Sequence, residues 1–469
     1  MKMYISAVTA SALSLVFVLI VSGCGKKAET VSTVVRPDNV VIITLDTTRA
    51  DYLGCYGNTV VKTPNLDAFA AGAVLFTNCY STCNSTLPSH TSMFTSLYPK
   101  DHGVVHNKIA VPDLPSLMPR VFKAAGYRTA AFTSGGHLSP ASGINQGYDD
   151  FFSPEGFERR SADTNEIVRK WLTVLGYSSG GTRGVFAWFH YFDPHGGYEP
   201  PAPYDTMYKL ISDERVRNTG SYVVDNKVMQ DYGKEEYDPE IARDLYRGEI
   251  TFMDSEFGRL AGMLKAAGMY DNTLVVVVAD HGESLGDHGI YWNHAGLYDA
   301  TVHVPMMIKP AGKFTPGVRG QLASSTDIYP TVMEMAGIKP GPVSHGASLT
   351  GIIGDPSAPE IHDEVYFQSI HEGQLGVKTL KDTYIRNVMT GAAGTNRKMI
   401  TGPAGQAELY DNAADPGQTR NLIADAADRA APLEAKAMAF INDRATRTDA
   451  AEITDKGQLK KLKALGYLQ

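Results

Sequence analysis

Cysteine is scarce in this chain of 469 residues, which contains only Cys24, Cys55, Cys79 and Cys83. No CxxC pair is matched by a second one, so the sequence excludes a structural zinc ribbon. Four cysteines are also too few for a scaffold held together by disulfides. A single disulfide among Cys55, Cys79 and Cys83 stays open, because the sequence does not indicate which two would pair.

Positive charge and long hydrophobic runs are also sparse. The chain has 43 Lys and Arg against 51 Asp and Glu, which gives a formal net charge of −8. Without a long basic run, binding to nucleic acid through phosphate contacts is not expected. The apolar fraction of 43% is ordinary for a globular protein, and it excludes a multi-span membrane protein and long disorder.

The one long hydrophobic run lies at the N-terminus. Lys2 precedes an apolar stretch over residues 5–21, and Val21-Ser22-Gly23-Cys24 follows it. This pattern predicts a secretory signal over residues 1–23, and its end resembles a bacterial lipobox with Cys24 as the lipid-modified residue. A single membrane-spanning anchor is the alternative. Either way we expect an extracytoplasmic protein held at a membrane, and Gly25 favours the outer membrane, facing the periplasm or cell surface.

The rest of the chain alternates buried strands with helices. Residues 39–45 form an almost unbroken apolar run, which is typical of a strand covered on both faces. Similar runs occupy residues 128–133, 184–190, 273–279 and 302–309. Helical patterns at residues 65–71, 115–125 and 240–267 separate them. We therefore predict an α/β fold with a large, mostly parallel sheet and helices on both faces.

The sequence divides into four parts. Residues 1–23 are the signal peptide, 24–38 a polar tether, 39–340 the catalytic domain and 341–469 a smaller C-terminal α+β subdomain. In the last part, residues 364–370 and 382–388 are predicted strands. Residues 431–441 and 457–465 are predicted helices.

Carboxylates and an imidazole directly follow two of the predicted strands. Asp46 comes after the first strand, and Asp280 with His281 comes after the run that ends at Ala279. Functional groups in open parallel sheets lie beyond the carboxyl ends of the strands, so these side chains are candidate ligands of one metal ion. For an isolated Asp, a helix cap or a turn is the simpler interpretation.

A third element places a hydroxyl at a helix start. Pro88 fits the first turn of a helix, so Thr86 would lie at its N-terminus, where unpaired N–H groups and the helix dipole favour an anion. A hydroxyl that contacts both this helix end and a metal can ionise and attack an ester. From the residues alone, an ordinary helix N-terminus is the simpler interpretation of this segment.

These pieces, with others along the chain, resemble the sulfatase family of the alkaline-phosphatase superfamily. The resemblance covers about residues 39–422, and its motifs stand in the family order. They lie at residues 45–51, 63–67, 86–104, 126–130, 193–195, 280–283, 325–330 and 408–411. The resemblance implies the superfamily's sheet, a divalent metal and the hydrolysis of anionic esters.

The resemblance also assigns roles to individual positions. It implies that Asp46, Thr86, Asp280 and His281 bind the metal and that Thr86 is the nucleophile. His195 and His294 would assist catalysis by binding substrate or by helping the leaving group depart. The positions implied to bind substrate are His90, Asn107, Asp193 and His195. A second metal held by Asp193, His195 and His294 is conceivable, as in two-metal phosphatases.

The chain departs from the family at the nucleophile. Sulfatases carry Cys-x-Pro-Ser-Arg, and the Cys is oxidised to formylglycine, whereas this chain has Thr86-Leu87-Pro88-Ser89-His90. Thr has a methyl group on the carbon that would become the aldehyde, so no formylglycine is expected. Water must then attack the Thr86 ester itself, which favours phosphate over sulfate esters. Two Asp, one Thr and one His favour Zn²⁺ or Mn²⁺, with Ca²⁺ or Mg²⁺ as alternatives.

We therefore predict a metal-dependent hydrolase at the cell envelope that cleaves sulfate or phosphate esters through Thr86. Its substrate would be a small anionic ester or a sulfated or phosphorylated glycan or lipid. One alternative is a transferase that moves a phospho-headgroup to an envelope lipid or glycan. A second is a non-catalytic relative that binds anionic glycans.

Overall fold

The computed structural model describes residues 35–175, 184–208, 239–341, 344–369, 373–388, 405–443 and 453. The predicted signal peptide, Cys24, and the predicted helix at residues 457–465 lie outside these ranges, so those predictions stay untested. Within the described part of the chain, no helix combines the length and apolar character needed to cross a bilayer.

A large mixed sheet of eight strands forms the centre of the protein, in the order β10-β2-β9-β6-β1-β5-β3-β4. A two-stranded hairpin, β7 and β8, lies beside it. The strands are β1 (Asn39–Leu45), β2 (Val74–Tyr80), β3 (Arg128–Phe132), β4 (Asp150–Phe152), β5 (Val185–Tyr191), β6 (Thr273–Ala279), β7 (Ser284–Leu285), β8 (Tyr291–Asn293), β9 (Met306–Lys309) and β10 (Gly317–Ser324).

The helices lie against this sheet and against the C-terminal region. They are α1 (Pro64–Ala71), α2 (Thr86–Thr95), α3 (Pro99–His102), α4 (Met118–Ala124), α5 (Ser161–Leu175), α6 (Pro239–Ala266), α7 (Asp299–Val302), α8 (Ile328–Met335), α9 (Thr350–Gly354) and α10 (Ala427–Asn442). The predicted helices at residues 65–71, 115–125, 240–267 and 431–441 all appear, with ends that shift by a few residues.

The three central strands set the geometry of the site. All residues of β1, β5 and β6 are buried, as expected for apolar strands covered on both faces. β1 is parallel to both neighbours, and its last residue, Leu45, is level with Tyr191 on one side and Ala279 on the other. The chain therefore leaves β1 and β6 at the same height, which brings Asp46 and Asp280 side by side.

The run at residues 302–309 does not form the parallel strand that we predicted. Val302 ends helix α7, and only Met306–Lys309 forms a strand, β9, which is antiparallel to both β2 and β6. The physical reason is the path of the connection: after β6, the chain makes the β7–β8 hairpin and α7 beyond the carboxyl end of β6 and re-enters the sheet from that same end, without crossing back along a face of the sheet. The sheet is thus mostly parallel, with one reversed strand.

A second sheet, antiparallel and four-stranded, follows in the C-terminal region. Its order is β11 (Val365–Ser369), β12 (Gln374–Lys378), β13 (Asp382–Asn387) and β14 (Ala407–Asp411). One face packs against α10. The other contributes Phe367, Ile385 and Tyr410 to a cluster with Tyr80 and Leu322 near the main sheet.

Candidate active site

Two aspartates and a histidine meet at the carboxyl ends of β1 and β6. One potential ligand atom from each of Asp46, Asp280 and His281 lies within 4.8 Å of the others, and all three side chains are fully buried. Among the residues that the structure describes, this is the only such group of acidic, His or Cys side chains. The structure thus brings together three of the predicted metal ligands.

The hydrogen bonds of these side chains leave a set of acceptors facing one another. Asp280 Oδ1 accepts from the backbone N–H groups of Thr47 (3.2 Å) and His281 (2.8 Å), while Asp280 Oδ2 has no hydrogen-bond partner. Asp46 Oδ1 is likewise buried without a hydrogen-bond partner. Buried oxygens of this kind are costly unless a cation or proton compensates them.

The tautomer of His281 supports the same conclusion. Its Nδ1 lies 2.9 Å from the carbonyl oxygen of Gly282, which can only accept, so Nδ1 carries the hydrogen. Nε2 then has a free lone pair, and it lies 3.5 Å from Asp280 Oδ2 and 4.0 Å from Asp46 Oδ1. Two carboxylate oxygens and one imidazole nitrogen form a donor set that fits a divalent metal ion such as Zn²⁺ or Mn²⁺.

Burial shifts the ionisation of these ligands when no metal is bound. The pKa of Asp280 is raised to about 7 by desolvation and by the neighbouring Asp46 carboxylate. Desolvation also raises the pKa of Asp46 well above its ordinary value. The pKa of His281 is lowered to about 4, mainly by burial, which keeps this ring neutral and able to bind metal at neutral pH.

Thr86 lies next to this cluster at the start of α2. It is the first residue of the helix, after Ser85 in an extended conformation, and its side chain is fully buried. Its Oγ1 is 3.3 Å from His281 Nε2. Ser81 and Ser89 both donate to the carbonyl oxygen of Asp280, at 2.5 and 2.7 Å, which ties the helix start to the end of β6.

Asn107 contacts the same helix start. Its Oδ1 accepts from the backbone N–H of Leu87 at 2.9 Å, and this bond fixes the orientation of the amide. The amide NH₂ is then the group directed away from Leu87. Asn107 thus lies beside Thr86, and its role in substrate binding stays a prediction.

Two further predicted histidines line the site. The His294 ring centroid is 4.6 Å from that of His281 and 6.2 Å from that of His195. The pKa of His294 is lowered to about 3 by burial and by the His281 ring. The pKa of His195, which stacks on Phe192 at 4.2 Å, is also lowered well below its ordinary value, mainly by burial. Both rings are therefore neutral at physiological pH.

His90 does not lie where a substrate-binding residue was predicted. Its ring is completely buried beneath Thr86, where Nδ1 bonds the Thr86 carbonyl oxygen at 2.8 Å and Nε2 bonds Thr44 Oγ1 at 3.0 Å. Both ring nitrogens are used inside the protein. The reason is its position four residues after Thr86, which returns the side chain along the helix toward β1.

Asp193 also departs from its predicted role. Both carboxylate oxygens accept from the backbone N–H of Ser161, each at 3.1 Å, at the first residue of α5. A carboxylate at a helix N-terminus is stabilised by the helix dipole and fills this structural role. The second metal group of Asp193, His195 and His294 is not assembled in the described part of the chain.

Sequence reasoning missed two contributors to the site. His190 donates from Nε2 to Asp46 Oδ2 at 3.1 Å, because its Nδ1 accepts from the Ser134 N–H. Thr47 follows Asp46 with a left-handed backbone (φ 47°), and its buried hydroxyl has no hydrogen-bond partner. For His190, the available signal was its place at the end of a buried strand beside β1.

The three described cysteines, Cys55, Cys79 and Cys83, form no disulfide with one another. Cys83 lies three residues before Thr86 and is buried, with its Sγ 3.6 Å from the carbonyl oxygen of Ser85. None of the pairings that the sequence left open is formed.

The site thus combines a buried cluster of two Asp and one His at the strand ends of a mixed sheet with a hydroxyl in the first turn of a helix. A family model described as Sulfatase matches residues 38–338, and one described as N-sulphoglucosamine sulphohydrolase, C-terminal, matches residues 286–439. The chain therefore belongs to the sulfatase family and is a hydrolase of sulfuric or phosphoric esters.

Individual relatives give the same result. An arylsulfatase of Clostridium perfringens is 25% identical, over 82% of this chain and 90% of its own length. An ulvan-active sulfatase of Formosa agariphila is 27% identical, over 90% and 84%. The solved structure of a phosphonate monoester hydrolase from Agrobacterium radiobacter shares the fold, with a TM-score of 0.67 and 21% identity, over 87% of this chain and 95% of that one.

Proposed function

We propose that this protein hydrolyses phosphate or sulfate esters with Thr86 as the nucleophile and a divalent cation held by Asp46, Asp280 and His281. The observation that carries the proposal is the convergence of three acceptors on one point, two of which are carboxylate oxygens without a hydrogen-bond partner. Asp46 Oδ1, Asp280 Oδ2 and His281 Nε2 face each other in a buried site, and Thr86 Oγ1 lies 3.3 Å from Nε2.

The residues divide the chemistry between them. A bound divalent cation supplies positive charge, which lowers the pKa of an adjacent hydroxyl and offsets charge on the ester oxygens. Thr86 Oγ1 attacks phosphorus or sulfur in line, a bond forms to Oγ1, and the bond to the alcohol oxygen breaks. Water then attacks the Thr86 ester, releases the anion and restores the hydroxyl.

The other site residues bind the substrate. Because the pKa values of His195 and His294 are lowered, these rings act as neutral hydrogen-bond donors and not as proton donors of ordinary pKa. The Asn107 amide, whose Oδ1 is held by Leu87 N–H, directs its NH₂ toward an ester oxygen. These donors hold the anionic group while Thr86 attacks.

Thr86 favours phosphorus over sulfur as the site of attack. A formylglycine hydrate releases sulfate by collapsing to the aldehyde, whereas a threonine ester has no such exit. The relatives include both types: arylsulfatase and ulvan-active sulfatase on one side, and a phosphonate monoester hydrolase on the other. We propose a phosphate- or phosphonate-type ester, or a sulfated or phosphorylated glycan or lipid, as the substrate class.

The test uses purified protein stripped of metal and reloaded with Zn²⁺ or Mn²⁺. Turnover is measured with 4-nitrophenyl sulfate, 4-nitrophenyl phosphate and a 4-nitrophenyl phosphonate ester. We expect metal-dependent turnover, faster on the phosphorus esters, and a loss of at least about 10³-fold in Thr86→Ala because the attacking oxygen is gone. Thr91→Ala is the matched control, since Thr91 is a buried threonine of α2 whose hydroxyl bonds the Leu87 carbonyl oxygen.

Two outcomes would contradict the proposal. Full activity of Thr86→Ala would remove the proposed nucleophile, and metal-independent turnover would remove the proposed cation. Mass spectrometry of Thr86 after rapid acid quench identifies the trapped group as phosphoryl or sulfuryl. Product analysis separates hydrolysis from transfer, since a transferase leaves the anionic group on an acceptor.

We further propose that Cys24 carries the lipid that holds the enzyme at the envelope, outside the cytoplasm. The support is the sequence pattern alone: Lys2, the apolar run at residues 5–21, and Val21-Ser22-Gly23-Cys24. Labelling with a palmitate analogue is expected to mark the wild-type chain and not Cys24→Ser. Equal labelling of both would contradict lipidation at this residue.

A further inference from the structure

The donor and acceptor of each hydrogen bond around His90 follow from what its partners can donate or accept. The Thr86 carbonyl oxygen can only accept, so His90 Nδ1, at 2.8 Å, carries the hydrogen and donates it. On the other side of the ring, Nε2 lies 3.0 Å from Thr44 Oγ1. With the hydrogen of the neutral ring on Nδ1, Nε2 can only accept, so the Thr44 hydroxyl donates to it. The oxygen of that hydroxyl in turn accepts from the Trp188 indole N–H at 2.9 Å.

These bonds form one continuous chain from the sheet to the nucleophile. It runs from Trp188 on β5, through Thr44 on β1 and the His90 ring on α2, to the carbonyl of Thr86. All four residues are fully buried, so water does not compete for the bonds. β1 and β5 are adjacent parallel strands, with Ile42 opposite Trp188, and together they form a rigid base for the helix start.

The ring is also held by packing. Its centroid lies 5.2 Å from Trp188 and 6.3 Å from Phe94, and its Nδ1 is 3.7 Å from Asp280 Oδ2. His90 therefore contacts the backbone of the nucleophile, a candidate metal ligand and the sheet, but it does not face the position of a substrate.

We propose that Trp188, Thr44 and His90 form a positioning relay that fixes the Thr86 carbonyl and thereby directs Thr86 Oγ1 toward His281 Nε2. This inference rests on the proposed function, because it assumes that Thr86 is the nucleophile. His90 occupies the place where the family motif has Arg. In this chain a neutral ring, bonded to the backbone, orients the nucleophile from behind.

The experiment removes the relay one bond at a time. Thr44→Val preserves shape but removes the hydroxyl, so His90 loses the bond that fixes Nε2. We expect kcat to fall about tenfold, since a small misplacement of a reacting group has an effect of this size or larger. KM and the dissociation constant for Zn²⁺ should stay within about twofold of wild type, because no substrate or metal contact is removed.

Two substitutions of His90 separate its two bonds. His90→Asn can place an amide N–H near the position of Nδ1 and keep the bond to the Thr86 carbonyl. His90→Leu keeps neither bond. We expect kcat to fall in the order wild type, His90→Asn, His90→Leu, with at least about tenfold between the two variants.

Ser92→Ala is the matched control on the same helix. Ser92 is buried and accepts a 3.0 Å bond from Nε2 of His102, whose Nδ1 accepts from the Val104 N–H. We expect this variant to lower the melting temperature without changing kcat.

Three results would overturn the relay. They are equal loss of kcat in Thr44→Val and Ser92→Ala, equal activity of His90→Asn and His90→Leu, and a loss of kcat restored in full by higher Zn²⁺. The last would mean that His90 supports the metal and not the nucleophile.

Thr86→Ala distinguishes the two proposals: if it is inactive while a relay prediction fails, the proposed function stands without the relay. If it is fully active, both fail.

Discussion

Two aspartates, Asp46 and Asp193, follow neighbouring strands of the same sheet, but their carboxylates differ in hydrogen bonding. Asp46 comes directly after β1 and belongs to the group of candidate metal ligands. Its Oδ1 is buried and has no hydrogen-bond partner. Asp193 comes two residues after β5, and both of its oxygens accept from the Ser161 N–H at the start of α5. An aspartate at a strand end is therefore a candidate ligand only where no helix start is close enough to use its oxygens.

The largest expected difference between the two positions is catalytic. Asp46→Asn should lower metal-dependent turnover by about 10³-fold or more, because a neutral amide replaces a charged ligand. In the metal-free protein the same change should not lower the melting temperature, since the amide avoids the cost of ionising a buried carboxyl group. Asp193→Asn is the comparison and should keep most of the activity. Equal loss of turnover in both variants would contradict the assignment of Asp46, and not Asp193, as a metal ligand.

A smaller effect is expected at His190, which connects the two strands. Its Nε2 donates to Asp46 Oδ2, so it orients the carboxylate without contacting the metal itself. His190→Leu should weaken Zn²⁺ binding about 10- to 100-fold, as for other residues that orient metal ligands. His190→Gln, which can keep a donor near the same place, should weaken it less. The measurement is competition with a chelator of known affinity, and identical affinities in the two variants would argue against the orienting bond.

The pH dependence of metal binding offers a third comparison. The pKa of Asp280 in the metal-free protein is about 7, so below that pH a proton competes with the cation for the carboxylate. The apparent Zn²⁺ affinity should fall about tenfold per pH unit below pH 7 and lose this dependence above it. In the metal-free protein the raised pKa contributes stability that is present below the ordinary value of 3.8 and is lost as the pH rises through about 7.

Calorimetry in buffers of different ionisation enthalpy counts the protons released on binding. Asp280→Asn should release one proton fewer than wild type at pH 6. Asp193→Asn should release the same number as wild type, although the pKa of Asp193 is itself raised to about 6 by burial. A change in proton release in the Asp193 variant would place that carboxylate in the metal site after all.

The smallest expected effect concerns the helix that Asp193 caps. Asp193→Ala removes the acceptor for the first N–H of α5 and should lower the free energy of unfolding by about 1 kcal/mol. Denaturant titration of the metal-loaded protein measures this change. Asp425→Ala, which replaces an exposed acid in the C-terminal region, is the control and should lower the free energy of unfolding less.

Much of the fold could be predicted because its central strands are uniformly apolar. β1 and β6 are recognisable from their sequences, and Asp46, Asp280 and His281 follow from their position after those strands. β2 and β10 were not recognised. β10 is the edge strand and β2 is its neighbour, and both include polar residues such as Asn78, Arg319 and Gln321. Their pairing depends on residues far away in the sequence.

The less predictable parts of the site are those fixed by tertiary contacts. Whether His90 faces the substrate or the sheet depends on Thr44 and Trp188, which are distant in the sequence. Likewise, Asp193 is engaged by a helix that begins thirty-two residues earlier in the chain. Residue type and spacing identify which side chains are near the chemistry, but not which hydrogen bonds they already make.

The antiparallel entry of β9 has a consequence for how this enzyme can change. The chain leaves β6 at Asp280 and returns at Met306 from the same end of the sheet, after the β7–β8 hairpin and α7. The segment between them carries His294, and its Ala295, Leu297 and Val302 pack in one buried cluster with Phe367 and Ile385 of the second sheet. A change in the C-terminal sheet can therefore shift His294 without altering the strands that position Asp46 and Asp280.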